Sequence, residues 1–212
     1  MRHQVPHACG PSMDRIVDAA MTEARGTLRD ELRKLRVAIP AAARIAAAES
    51  VAEQLIQLPA LQNADFVAGY WAIGGELPLH SLMARLPAHA RYCLPMLQPD
   101  RTLRFAPWRA GDAIVANRFG IPEPAQTIET LAPDALDIVL LPLLGFTRNG
   151  DRIGTGGGWY DRSFAFRRKA PAPPMLIGIG FACQQLDAYD AQEWDVPLDA
   201  IVTERELLPC PR

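Results

Sequence analysis

The chain has 212 residues, 49% of them hydrophobic, with 22 basic and 24 acidic side chains and a net charge of −2. Charge so close to neutral argues against a dedicated nucleic-acid surface, and no apolar run approaches the about 20 residues needed to cross a bilayer. The length favours one large domain, which buries about 70% of the surface of its unfolded chain and needs no covalent staples.

The opening stretch, MRHQVPHACGPSMDR, lacks the apolar centre of a secretory leader. Residues 1–12 mix proline, histidine and glycine without a period and read as disordered; the tail is bounded at 1–20 and a single folded domain at 21–208. A helical pattern runs from about Asp14 to Val37. Pro40 breaks it, and an alanine-rich helix follows to about Leu58. DFVAGYWAI (65–73) reads as a strand closed by Gly74 and Gly75, after which Leu79, Leu82, Met83 and Leu86 recur at helical spacing. RYCLPML (91–97) is a strand, QPDR a turn, and TLRFAPW (102–108) pairs back across it. Residues 109–133 form a long connection, of a length that is usually functional or mobile.

LDIVLLPLLGF (136–146) is an apolar run typical of a strand covered on both faces. RNGD (148–151) is a tight turn, Trp159 to Lys169 a helix, and PAPP (171–174) its end. MLIGIGF (175–181) and LDAIVTE (198–204) complete the strands. Helices alternating with buried strands predict an α/β fold, a mostly parallel sheet with helices on both faces. Ligands of such sheets sit at the carboxyl ends of the strands.

Cys9, Cys93, Cys183 and Cys210 show no CxxC spacing. They read as reduced thiols, two in the core and two in the tails, which places the protein in the cytoplasm. His3, His7, His80 and His89 show no ligand or triad spacing, and His80 reads as a helix-surface residue. No serine elbow or cysteine nucleophile is evident.

RIGTGGGWYDR (152–162) follows the most apolar strand and holds Gly154, Gly156, Gly157 and Gly158, with only Thr155 between. Glycines allow positive φ and close backbone approach, and successive bare N–H groups wrap an anion. The helix beginning at Trp159 and Tyr160 would add its positive end, and Arg148, Arg152 and Arg162 lie near in sequence. The motif is neither a P-loop nor a dinucleotide fingerprint. A ligand-free hairpin-to-helix connector is the alternative.

In RGTLRDELRKLR (25–36), Arg25, Arg29, Arg33 and Arg36 fall within an arc of roughly 80°. Leu28, Leu32 and Leu35 form the adjoining apolar stripe. Guanidinium forks suit phosphate oxygens; a solvated face paired with Asp30 and Glu31 is the alternative. Glu76, at a strand end beside two glycines, offers a carboxylate for two parallel N–H donors of a heterocycle, with Tyr70 and Trp71 as an aromatic wall; alternatively it is a helix N-terminal acid. Asp161, Asp195 and Asp199 are candidates for Mg²⁺, with turn chemistry as the alternative.

Taken together, these segments resemble the 5-formyltetrahydrofolate cyclo-ligases (methenyltetrahydrofolate synthetases). LPLLGFTRNGDRIGTGGGWYDR resembles that family's strand, turn and glycine loop, and QEWDVPLDAIVTE its C-terminal signature. RGTLRDELRKLR, YWAIGGELPLHSL and FGIPEP resemble its N-terminal helix, folate-side strand and mid-chain loop, in the family's order. The resemblance implies a three-layer α/β/α fold of the NagB/RpiA/CoA-transferase-like type. It implies a cytoplasmic monomer that binds small molecules, ATP and 5-formyltetrahydrofolate, with Mg²⁺, and neither nucleic acid nor membrane. ATP would phosphorylate the formyl oxygen, the N10 amine would attack the activated carbon, and phosphate would leave.

By the same resemblance, Arg25, Arg29, Arg152 and the loop Gly154, Thr155, Gly156, Gly157, Gly158, Trp159 and Tyr160 bind ATP. Trp71, Glu76, Phe119 and Tyr160 bind the folate, and Asp161 and Asp195 the metal. Two positions depart from the pattern: Arg25 stands for the family's Lys, and Trp159 for its Tyr or Phe. The competing readings are a non-catalytic folate- or nucleotide-binding regulator of the same fold, and a sugar-phosphate isomerase or CoA-transferase relative.

Overall fold

The computed structural model describes residues 13–125 and 129–210, with side chains from residue 23 onward. The tail expected over 1–12, with Cys9, His3 and His7, lies outside the described residues. Residues 13–20, bounded with that tail, belong to helix α1 (Met13–Val37). Pro40, with extended backbone at φ −60° and ψ 148°, ends the connection and caps α2 (Ala41–Ile56). The short helices α3 (Pro59–Gln62), α4 (His80–Met83) and α5 (Trp159–Ser163) follow along the chain.

The strands are β1 (Phe66–Ala68), β2 (Arg91–Leu97), β3 (Leu103–Pro107), β4 (Ile114–Ala116), β5 (Pro122–Pro124) and β6 (Ile138–Pro142). Then come β7 (Gly145–Phe146), β8 (Arg152–Ile153), β9 (Met175–Ile179), β10 (Ala200–Val202) and β11 (Leu207–Pro209). The main sheet has seven strands in the order β11-β10-β9-β6-β1-β2-β3. Every pairing from β10 through β9, β6 and β1 to β2 is parallel, and the edge strands β3 and β11 are antiparallel. The expected mostly parallel α/β sheet is therefore present.

The central strands are apolar throughout because both faces are covered. Ile138, Leu140, Ile177, Ile179 and Val202 pack on one side with Ala47, Val51 and Leu55 of α2 and Leu82 of α4. Val139, Leu141, Leu176 and Ile201 point the other way, toward Phe105 and Phe164. The α2 stripe of Ala47, Ala48, Val51, Ala52 and Leu55 repeats at helical spacing, and its alanines let the helix lie close to the sheet. Truncating the fully buried Leu55 to Ala would cost about 2–5 kcal/mol.

Several elements differ from the sequence expectation. The chain leaves the sheet after Ala68, where the Tyr92 hydroxyl accepts from Tyr70 N–H at 3.1 Å and donates to Tyr70 O at 3.2 Å. That ring leaves no room for a Cβ at Gly69. The connection 109–133 holds a hairpin, β4 with β5, whose first strand is exposed and so shows no hydrophobic alternation. The expected helix from Trp159 ends at Ser163, and a 3₁₀ turn over Ala165–Arg168 continues it once Phe164 turns into the core. The edge strand β11 has no counterpart among the expected elements.

The inward face of α1 is also rotated from the expected one. Leu32 and Arg36 are buried while Leu35 is 44% exposed. The thiols exchange places: Cys183, expected inside, is exposed, and Cys210, expected in a tail, is buried. Burial pushes the Cys93 thiol up to about 12 and that of Cys210 to about 11, so neither is a nucleophile. His80 is exposed, as expected.

Candidate active site

The glycine loop leaves the centre of the sheet. β6 ends at Pro142, the β7–β8 hairpin turns through 147–151, and residues 154–158 lead into α5. Its glycines answer different demands. Gly156 and Gly158 have φ of 98° and 63°, and a Cβ on Gly158 would lie 2.8 Å from Arg162 Nη1. A Cβ on Gly157 would meet the Trp159 indole at 2.6 Å. Among the described residues, no N–H from Gly154 to Gly158 donates to a protein acceptor. The loop is thus a run of unspent donors without a Cβ at four of its five positions, the arrangement that wraps an anion. α5 has only five residues, so the helix dipole expected there adds little, and arginines supply the positive charge.

α1 brings the Arg29 guanidinium to this loop and that of Arg25, one turn earlier, to residues 189–190. Arg29 Nε donates to Gly154 O at 3.2 Å. Arg25 Nη2 donates to Asp190 O at 2.7 Å, and its guanidinium lies 5.5 Å from the centre of the Tyr189 ring. The rest of the expected row goes elsewhere. Arg33 pairs with Asp30 at 2.5 Å on the surface. Arg36 is buried, donating to Gly74 O at 3.1 Å and Leu143 O at 3.3 Å and pairing with Glu76 at 3.5 Å.

Beyond the loop stand the carboxylates. Asp161 Oδ1 accepts from Arg152 Nη2 at 2.6 Å and from Val196 N–H at 3.1 Å, so the segment that carries Asp195 is tied to Asp161. Asp195 Oδ2 accepts from Gln192 N–H at 2.9 Å. Burial raises the Tyr189 phenol above its ordinary range, with Asp195 and Asp161 adding to the shift and Arg25 and Arg29 opposing it. Arg152 is buried behind Asp161 with its Nε unpartnered, so its geometry commits it first to that acid. Asp199 is removed from the metal set. Its carboxylate accepts from the fully buried Arg167 at 2.7 and 2.9 Å and from Leu176 N–H at 2.7 Å, which anchors β9 to β10.

No cluster of three metal-ligating side chains exists among the described residues. Mg²⁺ does not require one, since it takes one or two carboxylates together with phosphate oxygens and waters. Asp161 Oδ2 and Asp195 Oδ1 accept no hydrogen bond from the described residues, so this donor set fits the ion.

Glu76 follows β1, after Gly74 and Gly75 at φ of 53° and 80°. Its Oε2 accepts from Ile73 N–H at 3.1 Å. Burial raises its carboxyl above the ordinary carboxylate range, against the opposing effects of the Ile73 N–H and Arg36. A carboxylate has about four acceptor positions, so lone pairs remain for a ligand. Burial likewise pushes the Tyr160 phenol up, with Glu76 adding to the shift and Arg152 opposing it. Tyr160 directly precedes Asp161 on α5. Its ring stacks on Phe164 at 6.2 Å.

Phe119 sits at the tip of the β4–β5 hairpin and meets the Trp159 indole edge-on at 6.2 Å. Arg118 lies over both rings, at 5.0 and 5.5 Å. Asn117 Oδ1 shapes the tip by accepting from Phe119 and Ile121 N–H, and Glu123 ties the hairpin to Leu97 N–H of β2 at 3.0 Å. Trp71 is the exception. It packs edge-on against Trp108 at 5.7 Å and lines a separate cavity of about 1000 Å³, shared with Tyr92, Leu94 and Met83 but not with Glu76 or the glycine loop. Sequence reasoning missed Arg118, Tyr189 and the inward turn of Arg36; none of the three carries a local spacing signal.

The 5-formyltetrahydrofolate cyclo-ligase family profile matches residues 21–204. A 5-formyltetrahydrofolate cyclo-ligase of Haemophilus influenzae is 32% identical over 182 residues, covering 84% of this chain and 96% of the relative. One from Escherichia coli K12 is 32% identical over 159 residues, covering 73% and 86%. The fold matches the NMR structure of Aquifex aeolicus 5,10-methenyltetrahydrofolate synthetase with a TM-score of 0.76 at 24% identity, over 89% of this chain and 93% of that one. It matches a Mycoplasma pneumoniae 5,10-methenyltetrahydrofolate synthetase with a TM-score of 0.67 at 22% identity, over 85% and 99%.

Proposed function

The chain belongs to the 5-formyltetrahydrofolate cyclo-ligase family, and from that premise we infer how its own residues perform the ATP-dependent closure of 5-formyltetrahydrofolate to 5,10-methenyltetrahydrofolate. The observation that carries the assignment is the run of unspent N–H donors from Gly154 to Gly158, with Arg29 seated on Gly154 and Arg25 nearby. These groups hold the polyphosphate of ATP. Phosphoryl transfer needs positioning and charge neutralisation more than covalent help, and no nucleophilic side chain is required.

Asp161 and Asp195 would hold Mg²⁺, which when bound neutralises the phosphate oxygens. Arg152 fixes Asp161 for that task. On the other side, Glu76 accepts N–H groups of the pterin, and Phe119 with Trp159 closes over the ligand from the hairpin side. Tyr160, which follows the loop and directly precedes Asp161 on α5, would meet both the folate and the nucleotide. The formyl oxygen takes the phosphoryl group and ADP leaves. The N10 amine then attacks the activated carbon, phosphate departs, and the ring closes. We place the enzyme in the cytoplasm as a monomer; its free thiols Cys93, Cys183 and Cys210 suit a reducing compartment.

The test follows the near-ultraviolet absorbance of the methenyl product with purified protein, 5-formyltetrahydrofolate, ATP and Mg²⁺. Product should form only when ATP is present, with one ADP released per turnover. Folate binding without ATP-dependent product would refute the ligase assignment.

A further inference from the structure

Arg25 stands half-exposed on α1, one turn before Arg29, which bonds the glycine loop. A side chain of that length loses much rotamer freedom when fixed by a ligand. Two contacts fix it beforehand. One is the bond to Asp190 O at 2.7 Å, and the other is the Tyr189 ring, 5.5 Å from the guanidinium carbon. The ring is itself held, half-buried against a small cluster formed by Leu32, Leu144 and Ile153. Those residues come from α1, from the segment after β6 and from β8, so the ring is registered to the helix and to the strand that launches the glycine loop. Ile153 of that cluster directly precedes Gly154, and Asp190, whose carbonyl holds Arg25, directly follows the ring, so the ring stands beside the start of the glycine loop.

We propose that Tyr189 is a positioning residue for ATP: its ring face is the platform on which Arg25 lies, aiming the guanidinium at the polyphosphate held by Gly154–Gly158. The proposal rests on Arg25 as a phosphate contact. Its chemistry is specific to a planar cation. A guanidinium stacks on an aromatic face, whereas an ammonium is a compact, strongly hydrated charge that gains less from it. Arg25 and Tyr189 should therefore act as a coupled pair, with the ring rather than the hydroxyl as the working part.

The experiment measures KM for ATP, KM for 5-formyltetrahydrofolate, kcat and Tm in five variants: Arg25→Ala, Tyr189→Phe, Tyr189→Leu, Arg25→Lys and Arg25→Lys/Tyr189→Leu. Tyr189→Leu should raise KM for ATP about three- to tenfold, with kcat and KM for folate held within about twofold. Leucine refills the apolar cluster, so Tm should hold as well. Tyr189→Phe should keep the parental KM for ATP. In the Arg25→Lys background, Tyr189→Leu should change KM for ATP by less than about twofold. A parental KM in Tyr189→Leu, an equal loss in Tyr189→Phe, or the same loss when residue 25 is lysine would each overturn the platform. If Arg25→Ala leaves KM for ATP unchanged, the phosphate contact fails first, and the proposal with it.

Discussion

Glu76 is the sharpest place to separate binding from folding. Its carboxylate and the Arg36 guanidinium are 3.5 Å apart with side chains 7% and 4% exposed. Two unit charges at that distance attract by about 5 kcal/mol at an effective dielectric of about 20. Taking each ion out of water costs several kcal/mol. Burial raises the Glu76 carboxyl and lowers the Arg36 guanidinium, each against the attraction of the other. A neutral isostere should therefore cost little stability. Glu76→Gln should lie within about 1 kcal/mol of the parent, or about 2–4 °C in Tm. Glu76→Ala leaves a buried guanidinium facing a void and should cost about 3–5 kcal/mol, or about 6–20 °C.

The pH dependence has a fixed sign. The folded-state value lies above the ordinary 4.5, so the folded protein holds this proton more tightly than the unfolded chain. The stability attached to Glu76 is complete below that ordinary value and declines as pH rises through the raised one. Thermal melts of Glu76→Gln should lack that decline, so the variant gains on the parent as pH rises. In the absorbance assay both variants should raise KM for folate about 10- to 100-fold, the effect of losing a charged hydrogen-bond acceptor, with KM for ATP within about twofold. A parental KM for folate in Glu76→Gln, or Tm losses equal in the two variants, would refute the reasoning.

Asp161→Asn keeps an acceptor for Arg152 and Val196 N–H, so Tm should fall by only a few degrees while kcat falls at least about 100-fold. Titration of the variant with Mg²⁺ should show weaker activation. Asp199→Ala should do the reverse: unpairing Arg167 costs about 3–5 kcal/mol in a denaturant melt, and the Mg²⁺ dependence of the remaining activity should match the parent. Gly158→Ala places a Cβ at φ 63° and 2.8 Å from Arg162 Nη1, a strain of about 1–3 kcal/mol. KM for ATP should rise more than KM for folate, read from the same assay.

Much of this arrangement is legible in the sequence because its signals are local. Gly154–Gly158, Arg25 with Arg29, and Asp161 with Asp195 lie in short stretches whose residue types suit anion and metal binding, and the apolar runs at β6 and β9 announce covered strands. What was not legible depends on partners distant in sequence. Helical periodicity favours Leu35 for the inward face of α1, yet Arg36 takes that place because Glu76, Gly74 and Leu143 satisfy its guanidinium. Asp195 and Asp199 look alike four residues apart, and only the buried Arg167 separates a metal candidate from a strut. β4 is exposed and lacks alternation, so the hairpin carrying Arg118 and Phe119 reads as loop. Trp71, close in sequence to Glu76, lines another cavity and packs against Trp108, a partner distant in sequence.

The most direct test of the phosphate cradle is calorimetric titration of the purified protein with a non-hydrolysable ATP analogue and Mg²⁺, alongside Arg29→Ala. A saturable single-site isotherm is predicted, weakened at least about fivefold in the variant by loss of a charged phosphate contact. Absence of binding heat at millimolar nucleotide, or identical isotherms for the two proteins, would contradict the assignment of the glycine loop and α1 to the triphosphate.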